Sequence, residues 1–274
     1  MYKRQPAKIS YACSAHYLDH IDAINLTSEQ QTFLKEIPDA TFKESVRDFM
    51  VNQQFRRDYW IKGARQLSPV EQTDLIKHHK LVLLSSRADV SLKIAGSIGT
   101  ANMSEAIYAP ILDLMADHKS RSIESITAHV KDKGVLLSQV IQAAIVLIGS
   151  GHMASVQDDK QIANAKETTK KLNQSLLERA RFSTDISFLA SPVTGGGVAV
   201  NRFQQLFLLA LSQGKKQPKE WAQAAWEILA AQNQRLLKDG KALESTQENL
   251  EELTKQAETF NSNRLIALRA LLVA

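Results

Sequence analysis

The sequence predicts a mainly α-helical fold with small β elements, an α+β class, and two kinds of pattern predict it. Apolar residues recur at helical spacing through most of the chain, and the segments that carry them begin at capping residues and end near glycine or proline. Between these segments lie short runs of strand-like composition, bounded by glycine and polar turn residues.

The composition is that of an ordinary globular protein. Of its 274 residues, 44% are hydrophobic and 23% charged, and the formal net charge of +5 permits an acidic partner without requiring one. No apolar run reaches the roughly 18–20 residues that span a bilayer, and the N-terminus lacks the apolar segment of a secretory signal. We therefore expect a cytoplasmic protein that does not bind membranes. The single cysteine, Cys13, excludes an internal disulfide.

Residues 1–66 are predicted to be the end of a regulatory or connecting region. Thr27 and Gln30 form a capping box that opens a short helix, which stops before Pro38. The next helix carries four apolar side chains on one face, namely Phe42, Val46, Phe49 and Met50.

A strand is predicted next, in which Phe55, Tyr59 and Ile61 share one face and which Gly63 ends. We expect the aromatic side chains of this segment to be buried and to be flanked by solvated charges. These charges belong to Arg56, Arg57, Lys62 and Arg65. Contact of this basic cluster with an acidic partner is the alternative.

Residues 67–157 begin with a helix and two strands. Ser68 is the N-cap of the helix, Pro69 its first residue, and Glu71 completes a capping box. Leu81–Leu84 and Val90–Ile94 are the predicted strands.

Three helices and a return strand complete this region, and their order predicts a winged-helix domain. The helices are predicted to begin after Ser104, near Ser122 and after Ser138, and the strand to cover His152–Val156.

The third of these helices is predicted to bury one row of apolar side chains along its length. Ile141, Ile145 and Ile148 repeat at helical spacing and are expected to face Ile111 and Met115 of the first helix. Gln142 is expected to face outward.

Residues 158–274 are predicted to form a helical C-terminal domain with one small hairpin. Its helices are expected at Asp159–Arg181, Arg202–Ser212 and Pro218–Lys238, and a last one after the capping box of Ser245 and Glu248. The hairpin pairs Ile186–Ala190 with Val198–Val200.

One segment, Ile145–Gly151, has the glycines of a nucleotide-binding loop. Such a loop needs a strand that leads into the glycine turn. Here the apolar run follows a helix start, Met153 stands at the third glycine position, and no aligned acidic residue lies about 20 positions on. We therefore predict a helix end, and we assign no cofactor-binding residue.

Two further groups of residues have features of binding sites. The glycines of Pro192–Gly197 fit a hairpin turn better than an anion-binding nest. His16 and His20, with Asp19 and Asp22 nearby, have the spacing of metal ligands on a helix, but no third ligand is evident. We therefore assign no catalytic residue and no metal ligand.

A winged helix suggests DNA binding, in which the third helix brings cations to the phosphates. The sequence contains no lysine or arginine between Val135 and Asp159. We therefore expect no nucleic-acid partner, and we expect this module to bind protein.

Three stretches together resemble one family: Ser45–Trp60, Leu189–Val198 and Gln232–Lys241. They are similar to the C-terminal region of bacterial methyltransferases that carry a methyltransferase regulatory domain, a group related to the rickettsial protein-lysine methyltransferases. The resemblance covers nearly all of residues 8–274.

The resemblance implies a methyltransferase domain upstream, which holds S-adenosylmethionine and contacts this region in cis. None of the functional residues of that domain has a match here, so the resemblance implies a non-catalytic accessory region that recognises a protein substrate or forms a homodimer. Met1–Gln5 resemble translated sequencing adapter, and we therefore expect the protein to continue upstream of Met1. A winged-helix transcription regulator and a helical interaction scaffold are the alternative functions.

Overall fold

The computed structural model describes residues 7–274, which form two compact units. The first unit holds the chain up to Leu83 together with Arg87–Ser155, and the second holds Leu84–Ser86 together with Val156–Ala274. Helices dominate both units, and each sheet of the described part has two or three strands, so the mainly helical, mixed class is confirmed. The expectation for Met1–Gln5 lies outside the described residues.

The first unit alternates helices with short strands. Its helices are α1 (Asp22–Asn25), α2 (Ser28–Lys35), α3 (Ala40–Val51), α4 (Pro69–His78), α5 (Glu105–Met115), α6 (Ile123–Val130) and α7 (Leu137–Gly149). Its strands are β1 (Ile9–Ser14), β2 (Asp58–Lys62), β3 (Lys80–Leu83), β4 (Lys93–Gly96), β5 (Gly99–Asn102), β6 (Arg121–Ser122) and β7 (Met153–Ser155). Single turns of 3-10 helix lie at Tyr17–His20, Arg87–Asp89 and Lys131–Lys133.

The strands of the first unit pair antiparallel in small sheets. β1 pairs with β2, with a bulge between Tyr11 and Cys13. β4 and β5 form a hairpin that closes at Gly96 and Gly99. β3 lies between β6 and β7, so the strand predicted after Gly151 is confirmed.

The helix starts are confirmed where the sequence predicts capping boxes. The Thr27 hydroxyl accepts a hydrogen bond of 3.3 Å from the backbone N–H of Gln30, and the Gln30 side chain accepts one of 2.9 Å from the N–H of Thr27. Ser68 and Glu71 form the same reciprocal pair at 3.3 and 2.9 Å. Each box satisfies backbone donors that a helix N-terminus leaves without an intrahelical acceptor.

α7 is the central helix of the core of the first unit. It packs against α5, α6, β7 and the 3-10 turn at Tyr17–His20. This turn approaches the end of α7 closely, because a Cβ added at Gly149 would lie 2.7 Å from the side chain of Leu18. Elements therefore cover α7 on several sides.

The sequence-based prediction of the buried face of α7 is wrong, because each of the three predicted isoleucines lies one position after a buried residue. The buried side chains of α7 are those of Val140, Ala143, Ala144, Val146 and Leu147. Ile141, Ile145 and Ile148 are half-buried and pack at the margin of the core. The surrounding elements bury a wide arc of this apolar helix, and spacing alone does not show where that arc is centred. The exposed position of Gln142 is confirmed.

The second unit packs helices around one hairpin. Its helices are α8 (Asp159–Arg179), α9 (Arg202–Ser212), α10 (Pro218–Ala230), α11 (Thr246–Thr259) and α12 (Leu265–Ala270), and a π-helical turn at Phe260–Arg264 joins the last two. Its strands are β8 (Phe188–Ser191), β9 (Gly196–Ala199), β10 (Leu237–Lys238) and β11 (Lys241–Ala242). The core contains three aromatic rings. The ring centroid of Phe260 lies 5.8 Å from that of Phe207 and 6.2 Å from that of Trp221.

α10 ends at Ala230, well before the predicted end at Lys238. Asn233 has a left-handed backbone conformation, with φ of 54°, which an α-helix does not contain. The Arg202 guanidinium donates hydrogen bonds of 3.1 and 2.7 Å to the side-chain oxygens of Gln232 and Gln234, which hold this turn in place. A tertiary contact therefore ends the helix.

Among the described residues, no single helix is both long and apolar enough to cross a membrane. The helices at Ile123–Lys133 and Leu137–Gly149 pass that test only as a pair, by length and composition, and they are bent by 119° with respect to each other.

Candidate interaction surface

Helix α3 exposes its aromatic face to solvent and buries a charged residue, the opposite of an ordinary surface helix. Phe42 and Phe49 are 59% and 88% exposed, whereas Arg47 on the opposite face is 6% exposed. The Arg47 guanidinium donates a hydrogen bond of 2.7 Å to the carbonyl oxygen of Asp19, which compensates its burial. Soluble proteins seldom bury a charged side chain while they expose large aromatic ones on the same helix, so the aromatic face of α3 is a candidate interaction surface.

Arg56 ties α3 to both strands of the sheet β1–β2. Its guanidinium lies 2.9 Å from carboxylate oxygens of Glu44 and of Asp48, and 3.1 Å from one of Asp58. It also donates a hydrogen bond of 3.1 Å to the Tyr11 hydroxyl. Burial by itself would lower the pKa of Arg56, but the hydrogen bonds with the three carboxylates raise it above its ordinary value. Arg56 is therefore a charged link between α3, β1 and β2.

Tyr11 closes this cluster from the side of β1. Its ring centroid lies 5.6 Å from the Arg56 guanidinium carbon, and the ring packs edge-on against Trp60 at 5.7 Å. Burial first, and the nearby charge of Glu44 second, raise the pKa of Tyr11 to about 12. Tyr11 therefore stays protonated and remains a neutral partner of Arg56 throughout the physiological pH range.

The segment that leads through β2 exposes its aromatic side chains as well. Phe55 and Tyr59 are 86% and 57% exposed, and Ile61, on the same face as Tyr59, is 44% exposed. Phe42, Phe49, Phe55 and Tyr59 are called the four exposed aromatic residues below. Phe42 and Phe49 lie on α3, Phe55 in the loop that follows it, and Tyr59 on β2, and Arg56 links these two elements.

The prediction of buried aromatic and solvated basic residues is wrong for the central part of this segment. The structure exposes Phe55 and Tyr59 and half-buries Arg56. Arg57 and Arg65 are exposed, as predicted. Periodicity shows which side chains share a face, but it does not show which face meets the core.

The candidate metal residues have structural roles. The Asp19 carboxylate accepts a hydrogen bond of 2.7 Å from the Ser14 hydroxyl and lies 3.2 Å from Nδ1 of His16. Nε2 of His20 lies 3.0 Å from the carbonyl oxygen of Ser14, and Asp22 lies 3.8 Å from Nε of Arg47. Across residues 7–274 no group of three or more histidine, cysteine, aspartate or glutamate side chains is placed to hold a metal ion.

Both glycine-rich segments are turns. Ile145–Gly151 contains the end of α7, after which Gly151 adopts a φ of 75° that leads into β7, so the predicted helix end is confirmed. Pro192–Gly197 connects β8 to β9, and Gly195 has a φ of 69° there. A side chain at Gly195 would also lie 2.7 Å from the Gln157 amide, which explains the glycine at this position.

A family described as "Predicted methyltransferase regulatory domain" matches residues 3–62 of the chain. The chain is related to proteins with a methyltransferase regulatory domain. Residues 3–62 are called the regulatory segment below. The four exposed aromatic residues, Arg47 and Arg56 all lie within it.

A relative and two solved structures extend this similarity beyond the regulatory segment. The chain is 34% identical to the uncharacterized protein sll1526 of Synechocystis sp. over 267 residues, which are 97% of this chain and 52% of that protein. It therefore spans about half the length of this relative. A structure of PKMT2 from Rickettsia typhi in complex with AdoHcy and a second structure of PKMT2 from the same organism are each 14% identical to this chain. They match 100% of it, with TM-scores of 0.57 and 0.55. The chain covers 57% and 58% of these two structures, and the likeness concerns the fold alone.

Proposed function

We propose that this chain is the non-catalytic accessory region of an S-adenosylmethionine-dependent methyltransferase of the protein-lysine type, and that its regulatory segment docks against the catalytic domain in cis. The observation that carries the proposal is the reversed burial of α3 within the regulatory segment, where Phe49 is 88% exposed and Arg47 is 6% exposed. In this proposal S-adenosylmethionine is held by the part of the protein that this chain does not contain.

Two considerations support a partner within the same protein. The relative is about twice as long as the part of it that this chain matches, so a comparable length of polypeptide remains to pack against the accessory region. Interfaces between domains of one chain bury about 600–1,500 Å², and a large aromatic side chain contributes roughly 150–250 Å². Phe42 and Phe49, one above the other on α3, are enough to contribute an apolar patch to such an interface.

The test uses the reading frame extended upstream in the source DNA, and it compares Phe49→Asp with Phe182→Asp in that longer protein. Phe182 is 78% exposed and lies in the second unit, outside the regulatory segment. We expect Phe49→Asp to reduce the rate of methyl transfer at least about 10-fold, because a carboxylate buried without a partner in an apolar interface costs well over 1 kcal/mol. Phe182→Asp is expected to leave the rate unchanged.

The isolated 274-residue chain supplies the control for folding. Both Phe49 and Phe182 are exposed in it, so both variants should melt at the wild-type temperature. Equal rates of methyl transfer for the two longer variants would contradict docking in cis. If Phe49→Asp instead converts an isolated dimer to a monomer in light scattering, the face is a homodimer interface.

A second prediction concerns the cofactor. We expect the isolated chain not to bind S-adenosylmethionine, because Ile145–Gly151, its one candidate loop, is the end of α7 and no strand leads into it. Calorimetric titration checks this, with the longer protein as the positive control. Micromolar affinity of the isolated chain would show that it holds a cofactor site of its own.

We further propose that residues 67–157, with the helices α5, α6 and α7 and the strands β3, β6 and β7, form a winged helix that contacts protein in the cytoplasm and not nucleic acid. The order of these elements, with β3 between β6 and β7, supports the first part. The lack of lysine and arginine between Val135 and Asp159 supports the second, because cations supply most of the affinity for a duplex.

A further inference from the structure

A cavity of about 280 Å³ lies in the first unit, between α1, the hairpin β4–β5 and the helices α5 and α7. Its walls are mostly apolar and are formed by Ile21, Ile24, Ile94, Met103, Ile107 and Val146. Ile21 and Ile24 belong to the regulatory segment, but none of the four exposed aromatic residues lines the cavity.

Tyr108 places a hydroxyl group in this apolar environment. The residue lines the cavity and is 7% exposed. Its hydroxyl forms no hydrogen bond with any residue that the structure describes, and burial raises the pKa of Tyr108 above its ordinary value. The hydroxyl oxygen is nevertheless accessible to solvent, so a ligand in the cavity can replace water as its hydrogen-bonding partner.

The remaining polar groups of the lining are neutral. The side chains of Asn102, Ser104, Gln139 and Gln142 belong to the lining, and Gln142 is exposed. No charged side chain of the described residues lines the cavity, although 23% of the sequence is charged. Because a charged ligand would be desolvated here without a counter-ion, the lining favours a neutral one.

The walls are held in place by contacts independent of any ligand. Nδ2 of Asn25 donates hydrogen bonds of 2.8 and 3.2 Å to the carbonyl oxygens of Leu18 and Ile21, and its Oδ1 accepts one of 3.2 Å from the backbone N–H of Ser97. A Cβ added at Gly96 would lie 2.0 Å from the carbonyl oxygen of Ile24, so α1 and β4 are in close backbone contact. These contacts hold α1 and the hairpin together as one wall of the cavity, in agreement with a preformed ligand site.

We propose that this cavity binds a neutral aromatic molecule, between phenol and indole in size, whose single polar atom pairs with the Tyr108 hydroxyl. An apolar cavity of about 150 Å³ is large enough for benzene. The volume of about 280 Å³ therefore accommodates one substituted ring or two fused rings. The ligand lies between α5, α7 and the hairpin, and it stabilises their packing.

The experiment compares p-cresol with toluene, which lacks the hydroxyl, in saturation-transfer NMR titrations of the full chain. We expect saturable binding of both, with p-cresol the tighter. Tyr108→Phe should weaken p-cresol about 5- to 10-fold, the effect of one hydrogen bond, and leave toluene unchanged. A variant that binds p-cresol as tightly as the wild type would overturn the pairing with Tyr108.

A second pair of variants tests the cavity independently of Tyr108. Ala101→Leu adds a side chain to the lining, whereas Ala95→Leu makes the same change at an exposed position on the neighbouring strand. We expect Ala101→Leu to abolish the binding of both compounds and Ala95→Leu to leave it unchanged, with both variants folded by circular dichroism. Absence of saturable wild-type binding up to millimolar p-cresol, or equal binding by these two variants, would overturn the proposal.

Discussion

Replacing Arg56 by methionine is expected to lower the free energy of unfolding of the first unit by about 3 kcal/mol. The methionine keeps much of the side-chain volume but leaves Glu44, Asp48 and Asp58 without their shared cation. The Arg56 side chain is 22% exposed and those of the carboxylates 12–25%, so water replaces the lost partner only in part. Urea denaturation followed by circular dichroism measures the difference.

A matched control separates this effect from a simple loss of charge. Arg65 forms an ion pair with Glu71, but its side chain is 75% exposed, so Arg65→Met is expected to leave the denaturation midpoint unchanged. The Glu44, Asp48 and Asp58 carboxylates that remain in the Arg56 variant repel one another, which adds to the loss of stability. A loss below about 1 kcal/mol would contradict the role assigned to Arg56.

Truncation of Leu147 to alanine is expected to cost about 2–5 kcal/mol, because it leaves a cavity at the centre of the core. Leu147 is 0% exposed and lies on α7, which α5, α6 and β7 surround. Ile145→Ala should cost less, about 1 kcal/mol, because Ile145 is half-buried at the margin of the core.

Gln142→Ala completes the series as an exposed position on the same helix, with an expected cost of about 0.5 kcal/mol or less. Chemical denaturation of the three variants ranks Leu147 first, Ile145 second and Gln142 last. A larger loss for Ile145→Ala than for Leu147→Ala would restore the stripe of Ile141, Ile145 and Ile148 as the buried face of α7.

Local signals in the sequence determine most element starts in this protein. The boxes at Thr27 and Ser68 are formed by residues three positions apart, so their hydrogen bonds depend on no distant part of the chain. The same holds for the turn at Gly195, where the backbone conformation requires glycine. The early end of α10 at Ala230 is different, because Arg202, about 30 residues earlier in the chain, holds the turn that follows it.

By itself the sequence determined the class of the fold and the starts of the helices that begin with a capping box, because these follow from spacing and from short-range hydrogen bonds. Only the tertiary structure decided which way each face points. Phe49 and Arg47 lie on opposite faces of α3, and the periodicity is the same whether the aromatic or the basic face turns inward. The carbonyl of Asp19, distant in sequence, accepts a hydrogen bond from Arg47 and places the basic face inside. The aromatic face therefore stays exposed, and the candidate interaction surface follows from the packing of α3 and not from its pattern.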